Sequence, residues 1–172
     1  MSLITEDGTG RADAESFASL AAADAYHASR GNVAWAGALT ADKENALRRA
    51  TDYIGQEYRT KWKGRRTTMT QALDWPRYEV KLDDVGFGRY AAYVQPTIVP
   101  AQVVQACCEL AIRALSGPLA PDLQRQIIAE TVGPLRTEYA AGTPEYVRYR
   151  SVDLLLKPLL ASSGMGIQMV RA

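Results

Sequence analysis

The sequence predicts a mainly α protein with a minor β component. The expected architecture is a compact bundle of about four helices around a central helix at 101–116, with a long loop at 59–99 and a short β-hairpin or extended arm at 127–139. Three observations carry this. The stretch 101–116 is apolar all round except for one narrow polar stripe, the pattern of a helix buried on nearly every side. Segments 20–30, 41–58 and 147–160 repeat apolar residues at helical spacing. Between 59 and 99, and again between 127 and 139, that period vanishes and Pro, Gly and aromatic residues take over. A chain of 172 residues, 47% apolar and 23% charged, can build a core without disulfide or metal staples, and one domain over 1–172 is expected.

The N-terminal stretch places Leu3-Ile4 before a turn cluster, Asp7-Gly8-Thr9-Gly10, and a short extended candidate at 16–18. Ser19 is suited to accept from the orphan amides of the first helix, 20–30, and Gly31 to close it in a left-handed conformation. Thr40 opens the second helix, 41–58, with Asp42 and Glu44 near its positive end. There Leu47, Thr51, Ile54 and Tyr58 form a core-facing stripe. Pro100 suits the first turn of the third helix, and Gly117-Pro118 ends it. Its polar stripe is Gln102, Gln105, Glu109, Arg113 and Ser116. Gly133-Pro134 separates two short extended stretches. The last helix carries Tyr149, Val152, Leu156 and Leu159 on one face, and Pro158 should tighten its final turn. The tail at 165–172 alternates too briefly to assign.

Several function classes are disfavoured. With 20 Lys and Arg against 19 Asp and Glu, the net charge of +1 does not support a globally basic nucleic-acid coat, though a local patch remains open. No run approaches the roughly 18 apolar residues of a membrane span, and the first residues lack the basic start and apolar core of a signal peptide. A soluble, cytosolic chain without a membrane partner is expected. Cys107 and Cys108 are helix neighbours pointing about 100° apart, poorly placed to pair and too few for zinc. They read as small buried hydrophobes. The single histidine, His27, has no recognisable nucleophile turn beside it. No catalytic, cofactor-binding or metal-binding residue is nominated, and the expectation is a protein that is not an enzyme.

The densest charge feature is Arg59-Thr60-Lys61-Trp62-Lys63-Gly64-Arg65-Arg66, five cations in eight residues. Arg59, Lys61, Trp62, Lys63, Arg65 and Arg66 are the candidate interface or DNA-contacting residues. Three readings stay open. The segment can follow a phosphate backbone with Trp62 stacking on a base. It can be a solvated turn paired with Asp42, Glu44 or Asp83-Asp84. It can be a subunit interface anchored by Arg and Trp. Nearby, Gly86-Phe87-Gly88-Arg89 lacks the lysine and helix start of a phosphate loop and reads as a turn. Asp83 and Asp84 alone make a weak cation site.

The opening 1–10 and Ala21-Ala22-Ala23-Asp24-Ala25-Tyr26 carry a family resemblance that continues through Trp62-Lys63-Gly64-Arg65-Arg66 and Gln71-Ala72-Leu73-Asp74-Trp75-Pro76-Arg77. It extends to Pro100 with Cys108-Glu109-Leu110-Ala111, then Val132-Gly133-Pro134-Leu135 and Asp153-Leu154-Leu155-Leu156. Together these resemble the DnaT-like single-stranded-DNA-binding proteins of tailed bacteriophages and prophages. In layout they are similar to head-to-tail adaptor (connector) proteins. The adaptor resemblance implies a structural virion protein: a ring, usually of twelve copies, seated beneath the portal and extending the DNA channel. Its implied partners are further copies of itself, the portal protein, tail-completion, neck or tail proteins, and passing genomic DNA. Its implied place is the virion neck, after assembly from the host cytoplasm. The arms at 59–99 and 127–139 and the tail would supply the heterologous contacts that close such a ring. The alternative implied by the family label is a single-stranded-DNA-binding protein of phage replication that uses the basic 59–66 segment.

Overall fold

The computed structural model describes residues 2–86, 91–121 and 147–161, together with the backbone pairing of 129–132 with 135–138. Helix α4 (Ala101–Ala114) occupies the middle of the hydrophobic cluster, burying Val103, Ala106, Cys107, Cys108, Leu110, Ala111 and Ala114. Small side chains on the facing surfaces, Ala106 and Cys107 on α4 with Ala46 and Ala50 on α3 (Thr40–Tyr58), are fully enclosed and let the two helices pack closely. On its other sides α4 meets α1 (Leu20–Ala28) and α5 (Arg150–Leu156). The polar stripe stays at the margin. Glu109 accepts from Tyr26 Oη at 2.9 Å and pairs with Arg113 at 2.8 Å.

The apolar stripe of α3 is buried as its spacing requires, with Leu47, Thr51, Ile54 and Tyr58 all inside. Thr51 Oγ1 accepts from the Phe17 amide at 3.3 Å, so the one hydroxyl in that stripe has a partner. Thr40 is the first helical residue and not the cap; Leu39 holds the cap position without a side-chain bond. Pro100 similarly caps α4 and does not lie inside its first turn. Ser19 does cap α1, accepting from the Ala22 amide at 3.1 Å, but the helix ends at Ala28, short of the expected 30.

A one-turn helix, α2 (Val33–Ala36), follows, too short to show a period. It buries Trp35, whose indole N–H donates to Asp24 Oδ1 at 2.8 Å. His27 lies against the Trp35 ring at 4.5 Å with Nδ1 2.9 Å from Asn32, and burial pushes its pKa down. Both cysteines are free and buried, and burial pushes both thiols up.

The expected long loop at 59–99 is not structureless. It contains two small antiparallel hairpins, β1 (Arg65–Arg66) with β2 (Arg77–Tyr78) and β3 (Lys81–Leu82) with β4 (Ala92–Tyr93). Two-residue strands leave no alternation long enough to read in a sequence. The extended stretches flanking Gly133-Pro134 form β5 (Ala129–Val132) and β6 (Leu135–Glu138), an antiparallel pair as anticipated. The last helix is shorter than 147–160, and a 3-10 turn at Lys157–Leu159 follows it, where Pro158 has no amide to give.

Near the N-terminus the extended candidate at 16–18 contributes a parallel bridge from Ser16 to Thr5. The buried Glu6 carboxylate accepts from the amides of Gly8, Gly10 and Arg11, each at 2.9 Å, which explains that acid without a ligand. The turn at Phe87-Gly88-Arg89 and the tail at 165–172 lie outside the described residues. Among the described residues no helix is long and apolar enough to cross a membrane. Because Leu110 is fully buried in α4, Leu110→Ala is expected to destabilise the protein by about 2–5 kcal/mol, measured by urea denaturation.

Candidate nucleic-acid interface

The backbone of the basic segment is tied down before its side chains are free to do anything. Trp62 bridges antiparallel to Leu160; the Lys63 amide donates to the Leu159 carbonyl at 3.0 Å and the Ala161 amide to the Lys61 carbonyl at 2.8 Å. The alternation of an extended chain then sends Lys61 outward and Trp62 inward. Trp62 is only 5% exposed, lodged between Tyr58 at 5.9 Å and Trp75 at 5.5 Å, edge to face with the latter. It is a core residue, and the base-stacking role suggested by its position among cations has no exposed ring face to use. Gly64 follows with a φ of 65°, and a Cβ there would stand 2.1 Å from the Tyr78 carbonyl oxygen, so only glycine lets β2 come this close.

The cations divide into bound and free. Arg59 reaches Asp74 Oδ1 at 3.7 Å, and Lys61 pairs with Glu57 one turn back on α3. Lys63 pairs with Asp83 and also donates to the carbonyls of Pro158 at 2.9 Å and Lys81 at 3.3 Å. Arg66 donates to the Gln71 carbonyl at 3.2 Å. Arg65 is exposed and, among the described residues, holds no ion pair. The paired-turn reading therefore describes Lys61 and Lys63: Lys63 has the anticipated partner Asp83, whereas Lys61 takes Glu57 and not Asp42 or Glu44. Lys63 in turn holds the Asp83 carboxyl below its usual range.

Strand register reveals aromatic residues that the charge run did not point to. Arg65 stands directly across from Tyr78, and Lys81 directly across from Tyr93. Directly paired residues in antiparallel strands share a face. In each hairpin the outward pair is a cation beside a tyrosine, with Tyr78 38% and Tyr93 55% exposed. The inward pairs are Arg66 with the buried Arg77, and Leu82 with Ala92. Glu79 joins the hairpins in a left-handed conformation, φ 60°, that a non-glycine residue adopts at a cost of about 1 kcal/mol or more. Sequence reasoning missed Tyr78, Lys81 and Tyr93 because a cation and a tyrosine 12 or more positions apart become neighbours only through pairing.

Below this surface the guanidinium of Arg77 donates to three carbonyls, those of Gly64 at 2.7 Å, Lys63 at 2.8 Å and Asp74 at 3.2 Å. The Asp74 side chain is 3% exposed and its Oδ2 has no hydrogen-bond partner. Burial pushes its carboxyl up, opposed by Arg59, the Trp62 indole, Arg77 and Arg66.

The fold and this surface define a mainly helical protein that displays cations beside tyrosines on two short hairpins. A family model described as "Putative DnaT-like ssDNA binding protein" matches residues 1–172, and the chain belongs to that family. No curated protein and no solved structure matches it. The family finding overturns the expected head-to-tail adaptor: the description covering the whole chain is of nucleic-acid binding, and nothing supports similarity to a connector, a portal-docked ring or a neck protein. The error lay in reading the irregular 59–99 segment as an intersubunit arm, whereas much of it packs onto its own core.

The raised Asp74 pKa gives a test of this arrangement. Above its unfolded value of 3.8, the folded state retains a proton that the unfolded chain loses, so stability falls as pH rises through the window up to the folded value. Asp74→Asn is expected to raise the melting temperature at pH 7, with the gain vanishing below about pH 4, where both states of the carboxyl are protonated. Thermal melts of both proteins across that range measure it.

Proposed function

We propose that the protein binds single-stranded DNA, with Arg65 and Lys81 meeting the phosphates and Tyr78 and Tyr93 stacking on bases. The observation that carries this is the register: in both hairpins the outward-facing pair joins an exposed cation to an exposed tyrosine. Cations beside aromatic faces are the recurrent chemistry of single-strand binding, since the phosphates repeat and every base has a π-face. The description of the family supports the same reading. With a net charge of +1 the chain has no long-range field to concentrate DNA, so the affinity must come from this local surface. The exposed Arg59 and Lys61 extend the cationic track alongside it, each already leaning on an acid.

Fluorescence anisotropy with a labelled thymidine oligonucleotide, repeated over a range of salt, tests the proposal. Tyr78→Ala and Tyr93→Ala are each expected to weaken binding by about 1–3 kcal/mol without altering the salt dependence. Arg65→Ala and Lys81→Ala are each expected to flatten the slope of log K against log salt by about 0.7. Undiminished binding by the double tyrosine variant would remove this surface from consideration. Trp62→Ala, by contrast, is expected to lose about 3–5 kcal/mol of stability, because its ring is core.

A further inference from the structure

Glu79, where the two hairpins join, is the one non-glycine residue with a left-handed backbone among the described residues. Exposure along this stretch runs Arg77 buried, Tyr78 exposed, Glu79 exposed, Val80 buried, Lys81 exposed. Regular alternation would turn Glu79 inward and set Tyr78 and Lys81 on opposite faces. The left-handed residue shifts the phase by one position, as a bulge does, so Tyr78 and Lys81 both face outward with Val80 fully enclosed between them. The backbone is held on both sides. A Cβ at Gly64 would stand 3.0 Å from the Glu79 carbonyl carbon, and the Val80 carbonyl accepts from the Val94 amide at 2.9 Å.

The phase shift accounts for the conformation at 79 but not for the side chain there. Glycine adopts it without steric penalty and is the ordinary choice at such a position. The Glu79 carboxylate gives nothing back to the fold: it is exposed and, among the described residues, forms neither an ion pair nor a hydrogen bond. It adjoins Tyr78 in sequence and precedes Lys81 by two residues, in the middle of the cation–tyrosine surface. A carboxylate in that place opposes phosphates, so what it meets favourably on DNA is an N–H donor on a base. Neighbouring Cα atoms are about 3.8 Å apart, which brings the carboxylate within reach of the edge of a base stacked on Tyr78. Among the DNA bases only guanine presents two parallel donors, N1–H and N2–H2, on its Watson–Crick edge. Adenine and cytosine set an acceptor beside their amino group, and thymine flanks its single N–H with two carbonyls; each turns a lone pair toward the second carboxylate oxygen. In a duplex the guanine donors are already spent on cytosine, so this contact is open to single strands alone.

We infer that Glu79 is the base-selecting residue of this surface, its carboxylate receiving N1–H and N2–H2 of a guanine stacked on Tyr78. The inference rests on the single-stranded-DNA reading and adds base preference to it. The test compares a heptamer of thymidines with the same heptamer carrying dG, or deoxyinosine, at its centre. The dG heptamer is expected to bind about fivefold tighter, the lower end for a bidentate pair because the site is exposed. Deoxyinosine, which lacks the N2 amino group, should lose most of that gain. Glu79→Gln and Glu79→Gly should each bring the dG and thymidine heptamers to one affinity. Glu79→Gly should also melt no lower than the unmodified protein, since glycine relieves the backbone; a clear drop in melting temperature would show that the side chain serves the fold and overturn the inference. Equal affinity for the dG and thymidine heptamers in the unmodified protein, or a dG preference that survives both substitutions, overturns the guanine contact and leaves DNA binding intact. Failure of every heptamer to bind overturns the DNA reading and the inference with it.

Discussion

The buried guanidinium of Arg77 is the constraint on which the region after α3 depends. Its three donations, to the carbonyls of Lys63, Gly64 and Asp74, hold together two stretches of chain that have little regular structure of their own. Charge-assisted bonds of this kind are stronger than neutral ones, and they offset the burial that pulls the Arg77 pKa down. Once Lys63 and Gly64 are held, Trp62 has only the inward side available and packs on Trp75. The close passage of β2 then leaves room at position 64 for glycine alone. Two two-residue hairpins that would be marginal in isolation acquire a fixed register, and the register is what sets cations beside tyrosines.

The same constraint separates structural charges from available ones. Lys63, Arg66 and Arg77 act as donors that stitch loops to carbonyls, and removing Arg66 or Arg77 would leave partly buried acceptors unpaired. Arg65 and Lys81 are the cations that the alternation of the strands turns outward. A near-neutral protein can in this way carry a basic segment most of whose charge is spent internally, while a few cations remain for an external anion. Asp74 is the counterpart on the acidic side, a buried carboxyl with Arg59 3.7 Å from its Oδ1.

Legibility tracked the length over which a pattern repeats. The polar stripe of α4 and the apolar stripe of α3 persist for about three turns or more, and both helices lie where their periodicity put them. The Ser19 cap and the Gly133-Pro134 hairpin were readable from single strongly biased residues. The one-turn α2 and the hairpins of 65–93 were not, since elements of two to four residues are formed by what packs against them and carry no period. The adaptor expectation failed at the same place: an irregular stretch rich in Arg and Trp looks alike whether it reaches toward a neighbour or folds back on its own core.

What the sequence determined by itself was the helical class, the central position of α4, the buried state of both cysteines and the existence of a basic segment between α3 and α4. These follow from local hydrophobic period and composition, which act over a few turns of chain. Only the tertiary structure decided that Trp62 points inward, that Tyr78 and Tyr93 stand beside Arg65 and Lys81, and that Asp74 is buried against Gly55. Each of those depends on contacts between residues far apart in the chain, fixed by strand register and by a guanidinium that chooses its three carbonyls in space.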